Sequence, residues 1–227
     1  MERGNGTLIY GGTFNPVHIG HVRLGIEAFE KLRRKVGRVE FVPNSDPPHK
    51  RGGGILPFGF RVSMLEAVLA KYPHMECNPV EGRRPGPSYT YDTLAAWPAP
   101  VADRYFLLGS GDFMLLPSWS RGLELLRVCS LVVAPRGEFS VEDFFALGRK
   151  MWPDARAAED GGFPCMIIPA WPEAKIHYLP LPYLEISASR IREMWLLDKN
   201  IDLLMPEPAQ RLLSENRGAV RTCWLEK

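Results

Sequence analysis

Short apolar runs alternate with segments of helical periodicity along most of this 227-residue chain. The apolar runs indicate buried strands, and they are TLIYGG, VEFVPN, MECNPVE, RYFLLGS, SLVVAPR and KIHYLPL. The periodic segments indicate helices, and they are HVRLGIEAFEKLRR, FRVSMLEAVLAKY, YTYDTLAAW, SRGLELLRV, SASRIREMWLL and PAQRLLSEN. Because a helix between two strands returns the chain to the same end of a sheet, this order predicts an α/β fold. The expected sheet is parallel and doubly wound, with helices on both faces.

Two stretches do not fit the alternation. The loop PNSDPPHKRGGGILP is rich in proline and glycine, and residues 152–174 read as a surface excursion before the last strand. No linker divides the chain, so we expect a single domain over residues 1–227 with a C-terminal helical segment from about residue 187. In a sheet of this kind ligands gather at the carboxyl ends of the strands, and we expect the functional site there.

Charge and cysteine usage exclude several classes of protein. The formal net charge is +2, so the chain has no broad basic field that would hold a nucleic acid backbone. No apolar run is long enough to span a bilayer, which predicts no membrane partner. The four cysteines lie far apart in the sequence. That spacing argues against a zinc site or a disulfide framework and favours a reduced cytoplasm.

The stretch GGTFNPVHIGH, between the first strand and the first helix, predicts an anion site. Gly11 and Gly12 leave the backbone open to a close approach by a ligand, and Pro16 stiffens the turn. His18 and His21 are three residues apart, which places both imidazoles on one side of the first helical turn. A helix N-terminus attracts anions, and a nearby phosphate favours the protonated form of both rings. The alternative is a glycine turn followed by two partly exposed histidines.

The C-terminal stretch ISASRIR has the same character. Ser187 or Ser189 is placed to cap the helix that follows, and Arg192 lies three positions beyond Ser189 on the same face. Hydroxyls, helix N–H groups and a guanidinium at one helix terminus suit the outer phosphates of a nucleotide. The alternative is a capped helix with a solvated arginine.

Both stretches resemble motifs of a known superfamily. GGTFNPVHIGH is similar to the signature of the nucleotidyltransferases with an HxGH histidine pair, and ISASRIR resembles their second phosphate motif. Pantetheine-phosphate adenylyltransferases, cytidylyltransferases and class I aminoacyl-tRNA synthetases share the first signature. Three further stretches, PPHK, PSYT and PSW, resemble the nicotinate-mononucleotide adenylyltransferase family. The resemblance covers almost the whole chain apart from a stretch after Phe145, and it implies a Rossmann-like fold.

The resemblance implies three groups of site residues. The catalytic group comprises His18, His21 and Arg192. The residues implied to bind ATP are Gly11, Gly12, Thr13, Phe14, Ser187, Ser189, Asp112 and Arg136. The residues implied to bind the mononucleotide are Asn15, His49, Lys50, Tyr89, Thr90 and Trp119. Taken singly, Trp119 also fits a core position, Lys50 a solvated loop charge and Thr90 a helix cap.

Two positions depart from the family pattern. Asn15 stands where the bacterial enzymes mostly carry aspartate, so a hydrogen-bonding group is kept and a negative charge is removed. The family usually has GxD after the strand RYFLLGS, and the spacing to Trp119 puts Gly111 at that aspartate position with Asp112 one residue later. Both departures bear on nucleotide binding, and neither touches the histidine pair.

The resemblance implies adenylyl transfer from ATP to nicotinate mononucleotide, giving deamido-NAD and pyrophosphate in NAD biosynthesis. Mg²⁺ is expected to enter with ATP, held by phosphate oxygens and water, because the sequence offers no carboxylate cluster to bind it. Nicotinamide mononucleotide and phosphopantetheine are alternative acceptors, and a nucleotide-binding regulator without turnover is an alternative of another class. Residues 152–174 are open to a role as a lid or as a subunit contact in a homo-oligomer.

Overall fold

The computed structural model describes residues 4–47, 54–84, 86–181 and 184–225. Its strands are β1 Gly6–Gly12, β2 Val36–Pro43, β3 Met75–Cys77, β4 Arg104–Gly109, β5 Ser130–Ala134, β6 Arg156–Asp160, β7 Phe163–Ile167 and β8 Lys175–Tyr178. Its α-helices are α1 Ile19–Leu32, α2 Phe58–Leu69, α3 Thr90–Ala95, α4 Ser110–Leu115, α5 Val141–Met151, α6 Ala188–Leu196, α7 Glu207–Glu215 and α8 Arg217–Leu225. Within these ranges no helix is long and apolar enough to cross a membrane.

The strands form one eight-stranded sheet in the order β3-β2-β1-β4-β5-β8-β7-β6. Strand β4 pairs in parallel with β1 and with β5, and β5 pairs in parallel with β8. The register aligns Gly109 at the end of β4 with Ala134 at the end of β5, so the carboxyl ends of these strands share one edge. All of β5 is buried, as expected for a strand covered on both faces. The mostly parallel sheet confirms the predicted Rossmann-like α/β class.

The segment 152–174 is not a surface excursion. Strands β6 and β7 form an antiparallel hairpin, and β7 pairs antiparallel with β8 at the edge of the parallel strands. The hairpin turns through Gly161 and Gly162, whose φ angles are 67° and 84°, a conformation that side chains disfavour. Cys165 and Met166 of β7 are buried. Apolar burial and a two-glycine turn therefore make this stretch part of the sheet.

Other elements differ from the predictions in length or kind. The stretch SRGLELLRV contains a 3₁₀ helix at Gly122–Arg127 instead of a regular helix, and MECNPVE contributes a strand of only three residues. Helices α4, α5 and α8 were not predicted. Helix α5 begins with a capping box, in which the Ser140 hydroxyl accepts from the Asp143 N–H and the Asp143 carboxylate accepts from the Ser140 N–H. The Ser140–Asp143 spacing of this capping box was the sequence signal that could have predicted α5.

The chain also divides into two compact units, each made of three stretches. The first unit comprises Met1–Gly11, Glu27–Val39 and Tyr89–Tyr183. The second unit comprises Gly12–Ile26, Glu40–Ser88 and Leu184–Lys227. The single domain expected from the sequence stays a prediction.

Candidate active site

The two motif histidines of the second unit stack on each other. The ring centroids of His18 and His21 are 3.6 Å apart with an interplanar angle of 23°. The His18 N–H donates to His21 Nδ1 at 3.2 Å, and the His21 N–H donates to His18 Nδ1 at 3.4 Å. A ring nitrogen that accepts carries no hydrogen, so both neutral rings hold their proton on Nε2, the form that donates to an oxyanion. A Cβ on Gly20 would lie 3.1 Å from His18 Nδ1, which explains the glycine between the histidines.

Phe14 fixes His21 from within the β1–α1 turn, which we define as residues 12–18. Its ring is 2% exposed and meets His21 edge-on at 5.0 Å between centroids. Phe14 has φ 48°, an unfavourable backbone region for an aromatic residue, and the Asn15–Pro16 peptide bond that follows is cis. A Cβ on Gly12 would lie 2.9 Å from the Phe14 ring. Glycine at position 12 is therefore required by the packing of Phe14.

Three backbone carbonyls of the β1–α1 turn accept hydrogen bonds from other segments. The Asn44 N–H donates to Gly12 O at 2.9 Å, at the end of β2. Arg61 Nη1 of α2 donates to Thr13 O at 2.7 Å, and Arg192 Nη1 of α6 donates to Asn15 O at 2.7 Å. The turn is thus held by three parts of the second unit that are far apart in sequence.

Arg192 joins the C-terminal motif to the histidine turn. Besides its bond to Asn15 O, its Nη2 donates to Ser189 Oγ at 3.2 Å. Partial burial lowers the pKa of Arg192, which still leaves it charged near neutral pH. Ser187 is the N-cap of α6, since its Oγ accepts from the Arg190 N–H at 3.2 Å. Of the two serines that the sequence offered as caps, Ser187 is the cap of α6. Arg192 is half-buried against the β1–α1 turn and is not the solvated arginine of the alternative prediction.

The side chain of Asn15 is committed to protein groups. Its Nδ2 donates to Gly54 O at 2.7 Å, and its Oδ1 accepts from the Leu56 N–H at 3.1 Å and from Trp224 Nε1 at 3.4 Å. The residue is 5% exposed. An aspartate could not donate to Gly54 O while ionised, so this departure from the family pattern matches its surroundings.

Arg61 was not predicted, and it is the most deeply buried charged residue among those described. It is 1% exposed, and its guanidinium donates to the carbonyls of Thr13, Asn44 and Leu56. Burial lowers the pKa of Arg61 to about 10, against an opposing effect of Glu81. The sequence signal was an arginine on the apolar face of a helix, at the spacing of Met64, Leu65 and Val68.

Ser88 was indicated only as part of the SYT stretch, and its contacts with the segment after β2 were not predicted. Its Oγ accepts from the N–H groups of Ser45 and Asp46 at 3.0 and 3.1 Å, and its own N–H donates to Asp46 O at 2.9 Å. The side chain therefore holds the turn that precedes PPHK. The predicted mononucleotide residues His49 and Lys50 lie outside the described residues.

In the first unit, Asp112 and Arg136 follow the carboxyl ends of β4 and β5, and both charges affect the pKa of Tyr10 in β1. Burial raises the pKa of Tyr10, which Arg136 acts to lower and Asp112 to raise further. The Arg136 N–H donates to Ser110 Oγ at 3.0 Å, and a Cβ on Gly109 would lie 3.2 Å from Arg136 Nε. The arginine therefore crosses the end of β4. Gly111 is one of the two positions that depart from the family pattern. A Cβ there would meet no atom within 4 Å, so the structure leaves room for a side chain at this position.

The remaining predicted residues of the first unit surround α3 and the 3₁₀ helix Gly122–Arg127. The N-cap of α3 is Tyr89, without a side-chain hydrogen bond, and Thr90 is its first helical residue. Thr90 is therefore not a cap. Trp119 is partly exposed, which does not fit a core position. The Arg121 guanidinium lies 3.5 Å from the centroid of the neighbouring Tyr91 ring.

The chemistry of the histidine turn suits an anion. Two imidazole Nε2 groups, one guanidinium and the start of a 14-residue helix all supply donors or positive charge. In the described part of the chain, no three His, Cys, Asp or Glu side chains lie together as metal ligands would. What this arrangement can do is bind phosphate oxygens and stabilise negative charge that develops on them.

Comparisons with known proteins agree with this chemistry. The cytidylyltransferase-like family model matches residues 9–194. The chain is 33% identical to a probable nicotinate-nucleotide adenylyltransferase of Pelobacter propionicus, over 92% of this chain and 95% of the relative. It is 32% identical to the protein of the same name from Geotalea uraniireducens, again over 92% and 95%.

Solved structures share the fold at lower identity. The Plasmodium falciparum nicotinic acid mononucleotide adenylyltransferase complexed with NaAD superimposes with a TM-score of 0.68 at 19% identity, over 94% of this chain and 96% of that one. A putative nicotinate-nucleotide adenylyltransferase from Vibrio parahaemolyticus gives a TM-score of 0.59 at 15% identity, over 97% and 96%. The chain belongs to the cytidylyltransferase-like family and, within it, to the nicotinate-nucleotide adenylyltransferases.

Proposed function

We propose that this protein is an enzyme that transfers the adenylyl group of ATP to nicotinate mononucleotide, giving deamido-NAD and pyrophosphate in NAD biosynthesis. The observation that carries the proposal is the stacked His18–His21 pair, joined to Arg192 through the Asn15 carbonyl. Relatives about one third identical over nearly the whole chain bear the name of this activity.

The reaction is a direct in-line displacement. An oxygen of the mononucleotide 5′-phosphate bonds to the α-phosphorus of ATP, and the bond from that phosphorus to the bridging oxygen of the β-phosphate breaks. The electron pair leaves with pyrophosphate. Because phosphate is itself the nucleophile, the protein supplies position and charge instead of a covalent intermediate. His18 and His21 donate from Nε2 to the α- and β-phosphate oxygens, where negative charge develops.

The other contacts with ATP are made by residues of the two phosphate motifs and by two residues that follow β4 and β5. Gly11, Gly12, Thr13 and Phe14 shape the nucleotide pocket, and Arg192 with Ser187 and Ser189 binds the outer phosphates. Asp112 binds the adenosine part, and Arg136 lies near the adenine or the phosphates. Both charges act on the pKa of the buried Tyr10, which supports a joint role for these two residues.

The mononucleotide is bound by a second group of residues. Trp119 stacks on the pyridine ring, and Tyr89 and Thr90 meet the carboxylate. His49 and Lys50 bind its phosphate. Asn15 acts through its backbone and its ties to Gly54 and Leu56, since its side-chain atoms are already bonded to the protein.

Mg²⁺ enters with ATP as part of the substrate. Its ligands are phosphate oxygens and water, and the proposal assigns it no protein ligand. We further propose that the protein acts in the cytoplasm. We also propose that it forms a homo-oligomer.

Pyrophosphate release by the purified protein tests the proposal. ATP and Mg²⁺ are supplied with nicotinate mononucleotide, nicotinamide mononucleotide or phosphopantetheine in separate reactions. We expect the fastest turnover with the nicotinate compound and a loss of about 100-fold or more in His18→Ala. His74→Ala, which changes a histidine of another segment, is the matched control and should keep its activity. Faster turnover with another acceptor would make that acceptor the substrate in place of nicotinate mononucleotide. ATP binding without turnover on any acceptor would favour a nucleotide-binding regulator.

A further inference from the structure

We propose that Arg61 is a positioning residue, which fixes the backbone of the β1–α1 turn by joining it to the end of β2 and to the segment that leads into α2. The inference rests on the proposed function, because the turn is taken to hold the phosphates of ATP. Arg61 itself touches no substrate in this scheme and acts through the Thr13 carbonyl.

The hydrogen bonds of Arg61 connect three segments. Nη1 donates to Thr13 O at 2.7 Å, Nη2 to Asn44 O at 2.8 Å and Nε to Leu56 O at 2.9 Å. These donors lie in one rigid plane and point in different directions, which the single ammonium of lysine cannot reproduce. The guanidinium therefore sets the distances between the three carbonyls as well as bonding to them.

The β1–α1 turn contains a residue that needs such support. Phe14 has φ 48°, and a strained conformation persists only where the surroundings over-determine it. The Asn44 N–H also donates to Gly12 O at 2.9 Å, so Asn44 is bonded both to the turn and to Arg61. The Gly12 carbonyl is thereby tied to Asn44 and the Thr13 carbonyl to Arg61, and these two residues are bonded to each other. The ring of Phe14 in turn meets His21.

Burial makes a purely packing role for Arg61 costly. A charged group that is 1% exposed loses its hydration, and an apolar residue would fill the same place in α2 without that cost. What an apolar residue could not supply is the set of donors to the turn. The carboxylate of Glu81, itself buried, favours the charged guanidinium.

The chain contains a matched control. Arg104 also donates to three backbone carbonyls, those of Leu94, Ala99 and Val128, all in the first unit. Arg61→Lys and Arg104→Lys thus make the same chemical change in two frameworks. Each variant is assayed for pyrophosphate release well below its melting temperature, with rates expressed per folded molecule.

We expect Arg61→Lys to lower kcat at least tenfold while its KM for ATP changes less than threefold, because misplacement of the turn weakens contacts made in the transition state. Arg104→Lys should lower the melting temperature and leave kcat within twofold. Equal kcat values for the two variants would overturn the positioning role.

A second variant covers the case in which Arg61→Lys does not fold. Arg61→Gln keeps amide donors at this position, removes the buried charge and cannot reach all three carbonyls. We expect at least a fivefold fall in kcat, and an unchanged kcat would overturn the proposal.

Amide hydrogen exchange of residues 12–18 without substrate separates this inference from the proposed function. Exchange there should accelerate in Arg61→Lys, or in Arg61→Gln if only that variant folds, and not in Arg104→Lys. If the wild-type protein releases no pyrophosphate, the proposed function fails, and the exchange rates alone decide whether Arg61 holds the turn. Equal rates in the wild-type protein and the variant would overturn the inference.

Discussion

Asn15 connects more segments than its size would suggest, because its amide has both a donor and an acceptor. The amide nitrogen bonds to a carbonyl, and the amide oxygen bonds to two N–H groups. These partners leave no choice in the orientation of the amide, since carbonyls only accept and N–H groups only donate.

We expect Asn15→Asp to destabilise the protein. At neutral pH the carboxylate would face Gly54 O, which now accepts from Nδ2 at 2.7 Å, and both oxygens would be buried acceptors. Loss of the donor costs about 1–3 kcal/mol of unfolding free energy, measured by chemical denaturation at pH 7. The loss should shrink below pH 5, because a protonated aspartate can again donate.

An exposed asparagine serves as the control for this substitution. Asn216 Nδ2 donates to Leu212 O at 2.9 Å on the protein surface. Asn216→Asp should cost less than about 1 kcal/mol, because water can satisfy the carbonyl. A cost at Asn15 no greater than at Asn216 would contradict the proposed role of its amide.

The sequence singled out His18, His21 and Arg192 because their spacing and neighbours carry a pattern, and their roles in the reaction stay predictions. It did not single out residues outside such a pattern that bond to distant backbone groups. Arg61 and Ser88 act on carbonyls and N–H groups of other segments. Any residue type offers such a backbone group, so no pattern marks the partner.

The β6–β7 hairpin depends on its turn. Gly162 has φ 84°, and a Cβ at this position would meet no atom within 4 Å. Gly162→Ala should therefore cost about 1–2 kcal/mol of unfolding free energy through backbone strain alone. Thermal and chemical denaturation measure this cost.

At Gly59 we expect a substitution by alanine to stabilise the protein, although the space around it is as open as at Gly162. Gly59 lies in α2 without a positive φ, and a Cβ there also meets no atom within 4 Å. Gly59→Ala should stabilise the protein by about 0.5 kcal/mol, because alanine loses less backbone freedom in a helix. Destabilisation by both substitutions would show that added volume matters at these sites.

Periodicity predicted the elements whose pattern is continuous, and it did not identify the type of every helical segment. The central strands are continuous apolar runs, and α1 and α2 repeat at helical spacing over 14 and 12 residues. The stretch SRGLELLRV has the same spacing over too short a length to distinguish a 3₁₀ helix from an α-helix. The hairpin at 156–167 was missed because its two-glycine turn was read as part of a loop.

For the whole molecule, a partly exposed ionic cluster around the buried His177 in the first unit links stability to pH. Asp160 accepts from Lys35 at 2.7 Å and from Lys175 at 2.9 Å, and His177 Nε2 lies 3.9 Å from the same carboxylate. Burial lowers the pKa of His177 to about 4 from 6.5. Burial alone would raise the pKa of Asp160, but the two lysines outweigh it and lower that pKa to about 2.

We expect the free energy of unfolding to fall as pH decreases from 6.5 to 4, because the unfolded chain then binds a proton that folded His177 does not. The pKa difference corresponds to about 3 kcal/mol. Denaturation curves at pH 7 and pH 4 measure the fall, and His177→Gln should reduce it. His74→Gln should leave the fall as it is in the wild-type protein. Equal falls in the two variants would contradict the role of His177.

Asp160 should affect the free energy of unfolding in a lower pH range, through the same linkage between proton binding and stability. Its carboxylate is more acidic in the folded protein, so it contributes stability above pH 3.8 that is lost as pH decreases towards 2. Asp160→Asn should lower stability at neutral pH and flatten the curve between those values.

The division of the chain into two interleaved units has a consequence for its gene. Each unit draws on three separate stretches, and the second requires Leu184–Lys227. Neither unit corresponds to one uninterrupted block of coding sequence, so a single crossover cannot exchange either of them for a foreign version. During translation the second unit stays incomplete until Leu184–Lys227 has been added to the stretches before it. The two units are therefore inherited together, and the first can be completed before the second.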